Sequence, residues 1–177
     1  MARAGMRVGN VEHHVQGDML RVGQTAPEFE LIAGDMSVRR LADYAGKVKI
    51  LSVIPSIDTR VCAAQTRRFN EEAAALSEAI VILTISADLP FALKRYCAAE
   101  GIERTETLST HRDMKFADDY GVHDTDWRIC QRAAFVLDAN NVVRYAEYVP
   151  VIGDEVNFAA VLEVARALVQ PSSMVSE

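Results

Sequence analysis

Apolar residues in the first half of the chain form two nearly continuous runs separated by one amphipathic segment. The runs are Val48 to Ile54 and Ala79 to Ser86, and runs of this length are typical of strands buried on both faces. Between them, apolar residues recur at roughly helical spacing from Val61 to Leu76. Strand, helix and strand in this order predict a right-handed parallel crossover.

Weaker patterns precede this unit. The segment from Val8 to Leu20 is broken by glycine-containing pairs, which predicts a small N-terminal β-hairpin. Its adjacent histidines, His13 and His14, are expected at the surface. Apolar and charged residues alternate around Phe29, which indicates a strand with one wet face, and a one-turn helix is expected at 41–44.

A second helix is predicted directly after the second apolar run. Asp88 is a plausible N-cap, Pro90 suits the first turn, and Gly101 suits the left-handed terminating position. The remaining predicted elements are a strand at Thr105 to Ser109, a short helix at Met114 to Tyr120, a hairpin of Arg132 to Leu137 with Val142 to Val149, a helix at Asn157 to Val169 and a frayed tail at Pro171 to Glu177.

These elements predict one α/β domain over residues 1–177. We expect a mixed central sheet, flanking helices and the possible N-terminal β-hairpin, which is compatible with a thioredoxin-like fold. The tail at about 171–177 is expected to be flexible.

Composition narrows the class of protein. Half of the 177 residues are hydrophobic, a quarter are charged and the formal net charge is −6, so a nucleic-acid backbone is not expected as the main partner. No apolar run reaches the roughly 18 residues of a membrane span. The segment from Met1 to Leu20 lacks the apolar core of a secretory signal. We therefore expect a cytoplasmic protein that binds no membrane.

The chain has three cysteines, too few for a disulfide scaffold: Cys62, Cys97 and Cys130. In a reducing compartment, any disulfide between them would be transient and catalytic rather than structural. The four histidines form no ligand-spaced set with the cysteines, so neither a metal nor another cofactor is expected.

Cys62 is the candidate nucleophile. It falls in the first turn of the helix that follows the first apolar run, where unpaired backbone N–H groups and the positive end of the helix dipole favour a thiolate. Thr59, three residues earlier, can place its hydroxyl near the sulfur or the substrate. Pro55 can shape the loop and shield the sulfur from water.

Arg132 is the candidate for a permanent positive charge at this site. It stands at the start of a predicted core strand, where an unpaired arginine would cost several kcal/mol. It should therefore have an anionic partner, and the Cys62 thiolate or its substrate would serve.

The spacing Pro55-x-x-x-Thr59-x-x-Cys62 resembles the peroxidatic signature of the peroxiredoxins, most closely their thiol peroxidase branch of atypical two-cysteine bacterial enzymes. The resemblance spans about residues 22–165. It is carried by four blocks: Ala26 to Phe29, Pro55 to Asn70, Ser86 to Phe91 with Cys97, and Leu108 to Thr110 before the Arg132 strand.

The resemblance implies a peroxiredoxin-type thioredoxin fold and a thiol-dependent peroxidase of hydrogen peroxide and organic hydroperoxides. Cys62 would become a sulfenic acid, with Thr59 and Arg132 holding the peroxide beside Pro55. Cys97 would be the resolving cysteine that forms an intramolecular disulfide with Cys62. Thioredoxin would reduce that disulfide, and the enzyme would be a homodimer.

The two cysteines lie on predicted helices separated by one strand. Helices in this arrangement need not hold the Cα atoms of Cys62 and Cys97 within the ~7 Å that a disulfide requires. We therefore expect one of the helices to unwind locally during the cycle.

Other functions are also compatible with these residues. Cys97 could be a core residue, which would leave a one-cysteine peroxidase or a redox-sensing thiol protein. A non-enzymatic thioredoxin-fold binding or chaperone module is a third possibility, without positive support in the sequence. Cys130 is expected to be a buried bystander, and Arg60 either favours the Cys62 thiolate or faces solvent.

Overall fold

The computed structural model describes residues 2–169, so the predicted tail from Pro171 to Glu177 lies outside the described residues. The strands in this range are β1 (Ala2–Val8), β2 (Val11–Gln16), β3 (Glu30–Ala33), β4 (Val38–Arg40), β5 (Val48–Val53), β6 (Ile80–Ser86), β7 (Glu106–Ser109), β8 (His123–Asp124), β9 (Ile129–Cys130), β10 (Ala133–Leu137) and β11 (Val143–Tyr148). The α-helices are α1 (Arg60–Ala73), α2 (Pro90–Glu100), α3 (Lys115–Asp119) and α4 (Phe158–Val169), and one 3₁₀ turn spans Leu41–Tyr44.

The central sheet is mixed, as predicted. Its strand order is β11-β10-β5-β6-β7-β3-β4. β5, β6 and β7 run parallel to one another, and the other neighbours pair antiparallel. All six residues of β5 are buried, because β5 lies in the middle of the sheet with both faces covered. The predicted β5–α1–β6 parallel crossover is confirmed.

A smaller sheet contains an N-terminal hairpin, as predicted, although its first strand runs from Ala2 to Val8 and so begins before the predicted segment Val8 to Leu20. β1 pairs with β2, which continues to β8 and β9. His13 was expected at the surface, but it is only 4% exposed. Its Nδ1 lies 2.5 Å from Oδ2 of the buried Asp124, so the expectation for His13 is wrong. The hydrogen bond with a carboxylate 111 positions away in the chain offsets the cost of burying this imidazole.

Helices α1 and α4 cover one face of the central sheet, and an aromatic cluster that includes a residue of α3 covers the other. On the helical face, Phe69 of α1 and Leu162 of α4 pack against Ile50 of β5. On the opposite face, Phe116 stacks on Tyr120, with ring centroids 4.2 Å apart. None of the helices within residues 2–169 has the length and apolar character needed to cross a membrane.

The loops that leave β5 and β6 lie side by side at one end of the sheet. The two strands run parallel, so their carboxyl ends meet at the same edge, and the N–H of Ile54 donates to the carbonyl of Ile85 at 2.9 Å. The first loop leads into α1 and the second into α2. This edge therefore brings the first turn of one helix close to the start of the other.

Candidate active site

Cys62 lies in the first turn of α1, as the sequence predicts. Thr59 occupies the position directly before the helix, with extended backbone angles, and Cys62 is the third helical residue. The side chain of Cys62 is fully buried against Ile54, Ile57 and Leu93. The thiol is thus held in a dry, closed environment at the positive end of the α1 dipole.

Arg132 provides the only cationic side-chain hydrogen bond to this sulfur within residues 2–169. Its Nη2 donates to Cys62 Sγ at 3.3 Å and to the carbonyl of Ile152 at 3.0 Å. The arginine is 1% exposed and lies one residue before β10. Its buried Nε has no hydrogen-bond partner, and it forms no ion pair with a carboxylate of the described residues. The positive charge therefore lies beside the Cys62 sulfur without a carboxylate partner among the described residues.

Gln65 orients Arg132, a role that was not predicted from the sequence. Its Oε1 accepts a hydrogen bond from Arg132 Nη1 at 2.8 Å, and its Nε2 donates to Ser52 Oγ on β5 at 2.7 Å. Gln65 follows Cys62 by three residues, so the two side chains share one face of α1. That spacing was the available signal, but it could not indicate what the amide would bind.

Pro55 and Thr59 lie on either side of the turn before α1. Pro55 is buried beyond the end of β5, and Thr59 is exposed. The Thr59 hydroxyl donates to the carbonyl of Ser56 at 3.0 Å. Since a hydroxyl oxygen keeps acceptor lone pairs when it donates, Thr59 can still accept a hydrogen bond from a bound molecule. Arg60 is exposed and makes no salt bridge among the described residues.

Asp88 does not cap α2, contrary to the prediction. The cap position belongs to Leu89, without a side-chain hydrogen bond. The Asp88 carboxylate instead accepts hydrogen bonds from Ser56 Oγ and from the N–H of Ile57, both at 2.7 Å. A short polar side chain at this position can either cap its own helix or bind a neighbouring loop. Asp88 binds the loop, because the β5–α1 loop lies within hydrogen-bond distance of its carboxylate.

Cys97 lies on α2 and faces the sheet rather than Cys62. Its Sγ is 3.5 Å from Thr107 Oγ1 on β7. Burial raises the pKa of the Cys97 thiol, and the hydrogen bond with Thr107 opposes part of that rise. Cys62 and Cys97 are both free thiols, and they have different neighbours. The structure therefore does not bring the two sulfurs into contact.

The helices that carry the two cysteines are nevertheless adjacent. Leu93 of α2 packs into the cluster around Cys62, and the hydroxyl of Tyr96 donates to the carbonyl of Ala63 at 3.2 Å. Tyr96 precedes Cys97 by one residue. A local change in either helix would thus disturb the other at the same place.

Cys130 is the third free thiol and is fully buried. Burial raises its pKa well above the ordinary value for a cysteine, and the negative charge of Asp88 adds to that rise. A neutral, inaccessible thiol is a poor nucleophile. Its environment agrees with the expectation of a buried bystander.

Comparison with known proteins gives one consistent result. The AhpC/TSA family matches residues 22–146. The thiol peroxidase of Bacillus subtilis is 51% identical over 154 residues, covering 87% of this chain and 92% of the relative. The thiol peroxidase of Streptococcus pneumoniae is 50% identical over 152 residues, covering 86% and 93%.

Solved structures with a similar fold agree with these relatives. A peroxiredoxin-like protein from Aquifex aeolicus superposes with a TM-score of 0.87 at 29% identity, covering 95% of this chain and 99% of that one. The thiol peroxidase from Chromobacterium violaceum has a TM-score of 0.83 at 24% identity, covering 94% and 98%, and supports the fold. The predicted thioredoxin-like α/β fold of peroxiredoxin type is confirmed. The chain therefore belongs to the AhpC/TSA family, in the thiol peroxidase branch of the peroxiredoxins.

Proposed function

We propose that this protein is a thiol-dependent peroxidase in which Cys62 attacks hydrogen peroxide and organic hydroperoxides. The observation that carries the proposal is the hydrogen bond from Arg132 Nη2 to Cys62 Sγ at 3.3 Å. A buried cation beside a thiol favours the thiolate, which is the attacking form. The thiol peroxidase relatives, at about half identity over most of the chain, support the same activity.

The first step transfers one oxygen atom to sulfur. The Cys62 thiolate attacks the terminal peroxide oxygen, so that an S–O bond forms while the O–O bond breaks. Sulfur loses two electrons and becomes a sulfenic acid, and the departing alkoxide or hydroxide takes a proton to give an alcohol or water. Arg132 would stabilise the negative charge on the departing oxygen. Thr59 would accept a hydrogen bond from the peroxide, and Pro55 would keep bulk water from the sulfur.

The second step forms a disulfide. The Cys97 thiolate attacks the sulfur of the Cys62 sulfenic acid, so that an S–S bond forms and the S–O bond breaks, and the oxygen leaves as hydroxide, which takes a proton to give water. The sulfurs have separate neighbours in the reduced protein, so the first turn of α1 or part of α2 must open before this step. The adjacent contacts of Leu93 and Tyr96 support a coupled opening of both helices.

Regeneration needs two electrons and two protons from a dithiol. We assign this role to thioredoxin, acting in a reducing cytoplasm on a homodimeric enzyme. Leu89 and Phe91, beside the active-site edge, are 55% and 66% exposed. Such apolar side chains at the surface support self-association at this edge.

A one-cysteine peroxidase or redox sensor is the second candidate. The contact of Cys97 with Thr107 rather than with Cys62 favours it. In that case, the Cys62 sulfenate would persist or be resolved by a thiol from another molecule.

One experiment separates these two functions. The reduced protein and its Cys62→Ser, Cys97→Ser and Cys130→Ser variants are treated with one equivalent of peroxide and analysed by intact mass and peptide mapping. We expect the wild type and Cys130→Ser to lose two hydrogens through a Cys62–Cys97 disulfide. Cys97→Ser should retain a sulfenate, and Cys62→Ser should not react. A wild-type sulfenate without a disulfide would favour the second candidate, and an unreactive Cys62 would overturn both.

A further inference from the structure

The carboxylate of Asp88 joins two segments of the active-site edge that are distant in sequence. Its Oδ1 accepts from Ser56 Oγ at 2.7 Å, and its Oδ2 accepts from the backbone N–H of Ile57 at 2.7 Å. A third hydrogen bond, from Ser86 Oγ to Oδ2 at 2.7 Å, holds the carboxylate against the end of β6. We call Asp88, Ser56 and Ile57 the Asp88 clasp.

The segment held by the clasp sets the geometry of the first turn of α1. The carbonyl of Ser56 accepts from the N–H of Thr59 at 3.2 Å and from its hydroxyl at 3.0 Å. Ile57 belongs to the same buried apolar cluster as Cys62. A shift of Ser56 and Ile57 would therefore displace the hydroxyl of Thr59 and remove one wall of the environment around the thiol.

The clasp also lies at the start of the helix that carries the second thiol. Asp88 is two residues before Pro90, where α2 begins. The same carboxylate is thus attached to the segment before Cys62 and to the segment before Cys97. Neither helix can move its first turn far from the other while these hydrogen bonds hold.

We propose that Asp88 is a positioning residue that keeps the first turn of α1 folded for peroxide attack and thereby delays disulfide formation. This inference rests on the proposed roles of Cys62 as the attacking thiol and Cys97 as the resolving thiol. With the clasp closed, Cys62 stays beside Arg132 and reacts with peroxide. With the clasp open, the sulfenate can leave that position and meet Cys97.

The clasp consequently controls which of two reactions consumes the sulfenate. In the closed state, a second peroxide can transfer another oxygen to sulfur: a second S–O bond forms, the O–O bond breaks, and the products are a sulfinic acid and an alcohol or water. In the open state, Cys97 displaces the oxygen as water and forms the disulfide. Weakening the clasp should therefore protect Cys62 from overoxidation.

The charge of Asp88 and its role as a tether predict opposite changes in the rate of peroxide attack when Asp88 is replaced. A carboxylate near the site disfavours a thiolate by charge repulsion, so its neutralisation alone would make peroxide attack faster. Loss of the tether would make attack slower, because the first turn would spend less time in the reactive geometry. Ser56→Ala removes one hydrogen bond of the clasp and leaves the charge unchanged.

The test compares Asp88→Asn and Ser56→Ala with Asp58→Asn as the matched control. Asp58 lies in the same loop, and its side chain is 68% exposed. It forms one long ion pair among the described residues, with Arg95 Nη2 3.9 Å from its Oδ1. Two quantities are measured: the rate constant of Cys62 with peroxide, and the peroxide concentration at which half of the chains become sulfinic during turnover. Thermal unfolding of each variant checks that it is folded.

Loss of one hydrogen bond to a charged group should shift the opening equilibrium about tenfold. We expect Asp88→Asn and Ser56→Ala to react more slowly with peroxide and to need about tenfold more peroxide for half overoxidation, while Asp58→Asn matches the wild type. Faster attack in Asp88→Asn, or an unchanged Ser56→Ala, would overturn the clasp. If wild-type Cys62 did not react with peroxide at all, the proposed function would fail first; a reactive wild type with unaltered variants would overturn only the clasp.

Discussion

Arg132 Nη2 donates a hydrogen bond to Cys62 Sγ at 3.3 Å, although the two residues are 70 positions apart in the chain. Cys62 approaches from the helical layer and Arg132 from the segment before β10. The antiparallel pairing of β10 with β5, in which Ala133 lies opposite Val53, brings them together. The central sheet therefore determines the distance between the thiol and its cation.

Removal of the Arg132 charge should slow peroxide attack. Arg132→Met keeps much of the side-chain length but loses the donor to sulfur and to the departing oxygen. We expect the rate constant with peroxide to fall by about 10²–10³, the usual cost of a lost transition-state donor. Arg60→Met is the control, because Arg60 is an exposed cation in the first turn of the same helix. A similar loss in both variants would show that general positive charge, rather than the geometry of Arg132, matters.

The side chain at position 65 should support the reaction of Cys62 with peroxide only if it carries no charge. Gln65→Glu would place a carboxylate where Oε1 now lies, 2.8 Å from Arg132 Nη1, and this charge would compete with the Cys62 thiolate for the cation. We expect peroxide attack, measured by stopped-flow kinetics, to slow by about tenfold or more. Gln65→Met should slow peroxide attack less, because it adds no charge. Equal rates for Glu and Met would contradict this account.

Thr59 should act through its hydroxyl rather than its shape. Thr59→Val retains the β-branched side chain but cannot accept a hydrogen bond from the peroxide or donate to Ser56. We expect peroxide attack to slow about tenfold, whereas Thr59→Ser should stay close to the wild type. Stopped-flow kinetics with hydrogen peroxide measure both variants. Equal rates for Val and Ser would exclude a role for the hydroxyl.

Disulfide formation should depend on pH through Cys97. Burial raises the pKa of the Cys97 thiol, so its thiolate fraction is small near neutrality and increases as the pH rises. We expect the resolution rate to rise about tenfold per pH unit below that pKa. Acid quenching after a single equivalent of peroxide measures it.

Thr107→Val gives a matched variant for this prediction. The contact between Thr107 Oγ1 and Cys97 Sγ lowers the pKa of Cys97, and its removal should therefore raise that pKa and slow resolution at a given pH. A resolution rate independent of pH in both proteins would mean that opening of the helices, not ionisation of Cys97, limits the step.

Local patterns predicted the elements that bear the candidate active site. The apolar run of β5 and the helical spacing of α1 placed Cys62 in a first helical turn, and the structure agrees. The same reasoning failed for Asp88, which was assigned to the cap of α2. A capping pattern reports only the nearest residues, whereas the Asp88 carboxylate binds Ile57, 31 positions away.

The sequence by itself determined the α/β element order and the position of Cys62, and it made Thr59 and Arg132 candidates through their chemistry and Cys97 a candidate through resemblance to the peroxiredoxins. Hydrophobic periodicity and helix-end chemistry depend on residues within one or two turns, so they can be read along the chain. Only the tertiary structure decided that Gln65 holds Arg132, that Asp88 holds the loop before α1 and that Cys97 faces Thr107 rather than Cys62. Those contacts depend on strand register and on the packing of α1 and α2 against the sheet, which local sequence does not encode.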